Sequence, residues 1–179
     1  TAGSLRGEST VRRVAPGLFW VAILLALLLA VGRAFTIETE NNARDGLRLS
    51  GLDPAAIFLG KAAAIAVQLV LLEALLAVGV VLLFDVILSS IGPLVLATVA
   101  ATVGLAATGT LYGVLAVGLR MRETLVPVLL LPVVSPVLLG ATRAWEAAID
   151  GVPSDAWPWV GVLSVFAVLA PWLAPYEAG

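Results

Sequence analysis

The stretch Ala62–Phe84, AAAIAVQLVLLEALLAVGVVLLF, has 23 residues and one charge, Glu73. A helix of about 20 apolar residues crosses the hydrocarbon core of a bilayer. A membrane strand would be about ten residues long and would alternate in polarity. This stretch does neither, so it reads as a transmembrane helix.

Four more segments have the same character. Val14–Gly32 has 19 uncharged residues, Gly92–Leu119 has 28, Thr124–Thr142 has 19 and Ala156–Pro175 has 20. With helix ends allowed to extend beyond the apolar runs, the expected helices lie at about 14–35, 54–84, 92–119, 124–142 and 156–175. The expected fold is a single all-α transmembrane domain over 1–179. Composition agrees. Of the 179 residues, 61 % are hydrophobic and 12 % charged, against about 45–50 % and 25 % in soluble proteins. Mean hydropathy is +1.09. A soluble chain of this size could not hide that much apolar surface. The first span is not a secretory leader: it is longer than an h-region, and no small-residue cleavage site follows it before Glu38. No internal repeat of fixed period is present.

The residue inventory restricts the chemistry. There is no His and no Cys. That excludes disulfides, thiol nucleophiles, structural zinc sites and Ser-His or Cys-His pairs. It leaves Met121, Tyr112 and Tyr176 as the side chains able to replace the usual axial ligands of haem iron. Net charge is −2 without a basic block, so nucleic acid is not a partner. No glycine-rich phosphate loop is present, and intramembrane polar groups are too scattered for acid–base or metal catalysis. The expected catalytic and metal sets are empty.

Five spans place the ends of the chain on opposite sides. Arg6, Arg12, Arg13 and Arg143 lie on one side; Arg33, Arg44, Arg48, Lys61, Arg120 and Arg122 lie on the other. The side richer in basic residues is read as cytoplasmic, although the Arg12-Arg13 pair opposes this. A preceding helix would remove the conflict. Trp145, Trp157 and Trp159 fit an interfacial belt at the outer side. The polar segment 36–53 carries Glu38, Glu40, Arg44, Asp45, Arg48 and Asp53, and is the candidate docking element for a soluble partner. Asp53-Pro54 reads as an N-cap followed by proline at the first helical position. Arg120–Glu123 reads as a tight hairpin, and 143–155 as a longer outer loop.

Three intramembrane features stand out. Glu73 has eleven uncharged residues on each side within its span. A carboxylate at that depth must be neutral, paired or in a wet cavity. It is either a substrate-path or proton-linked residue, or a hydrogen-bonded group that fixes packing. Gln68 is not on its face, because five residues turn a helix by about 140°. The third span has small residues at Gly109 and Gly113, and at Ala100, Gly104 and Thr108, which suit a dimer or bundle seam. The fourth carries Pro127, Pro132 and Pro136, each a candidate kink, either static or moving.

Ordered motifs along the chain add a resemblance. Ala15-Pro16-Gly17-Leu18-Phe19-Trp20-Val21-Ala22, followed by a leucine-rich run to Arg33-Ala34-Phe35, resembles the second membrane helix of the cytochrome c maturation protein B family (haem exporter protein B), an ABC-2-type permease family. Asp45-Gly46-Leu47, Leu52, Pro54 and Leu59-Gly60-Lys61 resemble its cytoplasmic loop and the next helix entry. Leu131-Pro132, Pro136 and Ala141-Thr142-Arg143-Ala144 resemble its proline-bearing helix. Leu169-Ala170-Pro171 through Ala174-Pro175 resembles its last helix end.

The resemblance implies a six-helix ABC-2-type bundle, of which five helices are present here, and a short outer helical element in 143–155. It implies a second permease copy and a cytoplasmic ABC ATPase that binds ATP and docks on 36–53. It further implies a haem-handling membrane subunit, a small membrane subunit, a haem chaperone, and a place in the bacterial inner membrane. Haem would be cargo of the complex, with no cofactor bound directly by this non-catalytic subunit. An ABC-2-type exporter of a lipid, polysaccharide or drug, and a non-transporting structural subunit, remain alternatives at this point.

Overall fold

The computed structural model describes residues 2–40, 51, 53–84, 91–116 and 122–177, with side chains described for 10, 14–34, 51, 53, 55–82, 91–116 and 126–170. These residues form five helices and no strand: α1 (Ala2–Glu40), α2 (Pro54–Phe84), α3 (Ile91–Leu115), α4 (Arg122–Ile149) and α5 (Pro153–Glu177). All five contain a stretch long and apolar enough to cross a membrane. The chain is an all-α, multi-pass membrane protein.

α3 stands at the centre and touches the other four helices. Its composition explains this. Every residue from Gly104 to Thr110 is buried, and that run is made of Gly, Ala and Thr around a single Leu. A helix so thin admits close neighbours on all sides. The other helices each offer a stripe. α1 presents Trp20, Ile23, Leu27 and Val31; α4 presents Leu130, Val134, Val137, Ala141 and Ala144; α5 presents Ala156, Val160, Leu163 and Ala167. α2 is the least buried of the five spans. Its buried residues are Ile65, Leu69 and Glu73, one per turn.

Helix ends differ from the expected ones: α1 begins at Ala2, well before 14, and α5 begins at Pro153. α1 continues past residue 35, so Glu38 and Glu40 stand on its last turns instead of in a loop. Charge limits how much of a helix lies in lipid, not how far the helix runs. α3 ends at Leu115, short of 119, and Ala116 N–H closes on Tyr112 O at 3.0 Å. Arg122 and Glu123 begin α4 rather than completing a loop.

The largest difference concerns 143–155. α4 runs on to Ile149, and the expected loop shrinks to a turn. Ala141, Ala144, Trp145 and Ala148 continue the buried stripe beyond the first charge, while Arg143 pairs with Glu146 at 3.1 Å on the outer face. Gly151, with φ of 75°, then takes the left-handed position that ends a helix. Val152 N–H bonds Ala147 O at 3.0 Å across it, which is the Schellman pattern. Pro153 opens α5 at once. A separate short outer helix is therefore not formed. Trp145 is also displaced from the expected belt: it is 3 % exposed, whereas Trp157 is 52 % exposed.

Candidate functional site

The start of α2 follows from its sequence. Asp53 Oδ1 accepts the N–H of Ala55 at 3.1 Å, and Asp53 O accepts those of Ala56 and Ile57 at 2.9 and 3.2 Å. Pro54 has no N–H to satisfy. α2 thus begins at a fixed point directly after the polar segment. Of the residues singled out there, Glu38 and Glu40 lie on α1, Asp53 is the cap, and Arg44, Asp45 and Arg48 lie outside the described residues.

Twenty residues along α2 from the cap, Glu73 turns inward. It is 4 % exposed and meets Thr102 of α3, which is 1 % exposed. Thr102 Oγ1 lies 2.6 and 2.8 Å from the two carboxyl oxygens and 2.8 Å from Thr98 O. One turn away, the Thr98 hydroxyl donates to Leu94 O at 2.8 Å and accepts the Trp145 indole N–H at 2.9 Å. A polar thread thus joins α2, α3 and α4. Phe19 and Trp20 of α1 close its end. Phe19 stacks on Trp145 at 4.2 Å, and Trp20 stands edge-on to Trp145 at 6.2 Å. Trp20 Nε1 is buried with no hydrogen-bond partner among the described residues.

Glycine packing fills the other half of α3. A Cβ on Gly104 would stand 2.7 Å from Phe166 Cδ1, and one on Gly109 would stand 2.9 Å from both Leu27 Cδ1 and Val31 Cγ2. Gly113 is buried as well. Gly104 and Gly109 therefore face α5 and α1 of the same chain. α4 runs through Pro127, Pro132 and Pro136 without interruption, and Pro132 and Pro136 face outward. No cluster of acidic side chains able to hold a metal ion is formed among the described residues.

The profile of the CcmB protein family matches residues 7–179. The chain belongs to this family. It is 30 % identical over 168 residues to heme exporter protein B of Bradyrhizobium diazoefficiens, covering 93 % of this chain and 74 % of that one. It is 32 % identical over 149 residues to heme exporter protein B of Pseudomonas aeruginosa, covering 81 % and 65 %. With heme exporter protein B of Paracoccus denitrificans it shares 32 % over 174 residues, covering 94 % and 77 %. The chain thus spans about two thirds to three quarters of the length of these relatives. No solved structure matches it. The motif that opened the resemblance to the CcmB family has a structural place: Ala15, Pro16, Phe19 and Trp20 are the buried residues of its first turns.

Glu73 stands out in the sequence as the one charge in its span, whereas its partners do not. Thr98 and Thr102 repeat at four residues, and that spacing on a small-residue helix was the available signal. Trp145 carried none, because an indole near a span end reads first as an interfacial anchor.

Proposed function

We propose that this chain is the membrane permease subunit of a haem exporter serving cytochrome c maturation. It couples ATP hydrolysis by a cytoplasmic partner ATPase to haem delivery, or to release of the haem-loaded chaperone. The observation that carries this reading is the family match over 7–179, with relatives named heme exporter protein B. Five helices long and apolar enough to cross a membrane support it.

In this reading the complex sits in the bacterial inner membrane, with segment 36–53 on the cytoplasmic face. The end of α1 and the residues up to the Asp53 cap receive the ATPase. Its partners are a second permease copy, a haem-handling subunit, a small membrane subunit and a haem chaperone. Haem is cargo. With no His or Cys in the chain, iron ligation falls to other subunits. The test is co-purification of the full chain from its native membrane, with ATPase activity and cytochrome c assembly measured together. Recovery of an ABC ATPase, and loss of assembly when this chain is deleted, support the reading. A stable complex with no ATPase overturns it.

A further inference from the structure

We infer that Glu73 is a positioning residue: as a neutral hydrogen-bond donor to Thr102, it locks the register of α2 on α3. Little else holds α2. Its buried stripe is Ile65, Leu69 and Glu73, and its large side chains Val67, Leu71, Leu75, Val78 and Leu82 face outward. Apolar contacts to a neighbouring helix and to lipid tails are nearly equivalent, so such a stripe resists sliding weakly. A directional bond at its end resists sliding strongly.

Protons are also short around Thr102. Thr102 has one hydroxyl proton and three acceptors within 2.8 Å: both Glu73 oxygens and Thr98 O. A threonine inside a helix gives that proton to the carbonyl four residues back. The contact of 2.6 Å to Glu73 then needs a proton from the carboxyl. With Glu73 as donor, every hydroxyl and N–H proton in the thread has an acceptor. Glu73 gives to Thr102 Oγ1, Thr102 gives to Thr98 O, Trp145 gives to Thr98 Oγ1, and Thr98 gives to Leu94 O. The thread passes the lock on to α4.

The role rests on these contacts and stands apart from the export reading. α2 starts at the Asp53 cap, so a partner pulling on segment 36–53 pulls on α2. Glu73 decides whether that pull moves α2 alone or carries α3 and α4 with it.

The chain has no cysteine, so a reporter pair is easily placed. Leu69 and Ala106 lie one turn from Glu73 and Thr102 on these antiparallel neighbours, and both are buried. The experiment is oxidative cross-linking of L69C/A106C in native membranes, with cytochrome c assembly scored for the same Glu73 or Thr102 variants without the cysteines. Glu73→Leu and Thr102→Val should leave insertion intact and lower the cross-linking rate about three- to tenfold, the scale of one interhelical bond in a membrane. Glu73→Gln, whose amide still donates, and Thr102→Ser should cross-link and assemble as the parent does. Unchanged cross-linking in Glu73→Leu overturns the lock. Failure of Glu73→Gln in either measurement overturns the neutral-donor role and points to a carboxyl that exchanges its proton. The expected cross-linking pattern without any effect on assembly leaves the lock standing and counts against the export reading.

Discussion

Ser135 donates its hydroxyl to the carbonyl of Pro132 at 3.0 Å, and that carbonyl is the one Pro136 deprives of a backbone N–H. Both prolines face out of the bundle, where lipid offers no donor. The serine supplies in side-chain form what the second proline removed. This lets α4 pass Pro136 without interruption.

A double-mutant cycle tests the compensation. Ser135→Ala alone should lower the thermal stability of the purified protein in lipid nanodiscs by about 1 kcal/mol, the net worth of one hydrogen bond. Pro136→Ala restores the N–H, so in that background Ser135→Ala should cost almost nothing. Equal costs in both backgrounds would mean that the hydroxyl is not serving the orphaned carbonyl.

Gly109 sets how closely α1 and α3 approach. A Cβ there meets a leucine and a valine of α1 together at 2.9 Å, and the valine is stiff at χ1. Gly109→Ala should therefore destabilise by about 1–3 kcal/mol through overpacking, and Gly109→Leu should prevent the two helices from closing. Gly17→Ala and Gly161→Ala, where a Cβ meets nothing within 4 Å, are the matched controls. Thermal unfolding of the four variants in one detergent separates a local packing demand from general sensitivity to glycine loss.

Much of the fold is legible because lipid asks for a simple property. Twenty apolar residues declare a span, and Asp53-Pro54 declares a helix start that the hydrogen bonds to Ala55, Ala56 and Ile57 reproduce. Helix faces are harder to read. Leu27 is buried and Leu29 is 65 % exposed, yet both are leucine, because the outer face of a membrane bundle is as apolar as its core. The contrast that reveals a packing face in water is missing. Only the polar and the very small residues break this symmetry, and Glu73, Gly104 and Gly109 were accordingly visible in advance. Ends were misjudged where a charge was taken as a boundary. At Arg143 the helix continues, since one face of it can remain buried while Arg143 and Glu146 pair on the other.

Asp53 gives a test that separates capping from charge. Asp53→Asn keeps an oxygen for the Ala55 N–H and should preserve stability. Asp53→Ala should cost about 1 kcal/mol. If segment 36–53 receives a partner ATPase through the start of α2, ATPase co-purification should follow the cap, with Asn close to the parent and Ala reduced. Loss of ATPase in both variants would instead assign the effect to the negative charge.

Haem binding by the chain alone is the simplest spectroscopic check. Without His or Cys, the purified chain mixed with haem should not produce the six-coordinate absorption spectrum of the usual His or Cys ligation. The assembled complex should contain haem only when the haem-handling subunit is present. Tight stoichiometric binding by the isolated chain would move haem from cargo of the complex to ligand of this subunit.

The end of α1 carries the strongest test of coupling. Past Arg33, the first charge after its apolar run, the helix continues to Glu40. At about 1.5 Å per residue, Glu38 and Glu40 stand roughly 8 and 11 Å beyond Arg33 on a continuous stem. A push on a loop is absorbed by the loop, whereas a push on such a stem reaches α1 inside the membrane. Glu38→Lys with Glu40→Lys should weaken ATPase docking, each rim contact being worth up to about 1 kcal/mol and more if buried. Reversal also has a built-in control. The C-terminus of a helix has a negative dipole end, so acids there are unfavourable and lysines favourable. The double reversal strengthens the end of α1 instead of fraying it, and it lies outside the span, so insertion should be normal. A loss of ATPase co-purification and of cytochrome c assembly in that variant cannot then be attributed to an unfolded stem. Full docking and assembly would remove both acids from the interface. The same result on reversing Arg44, Asp45 and Arg48 would remove the whole segment as the coupling element.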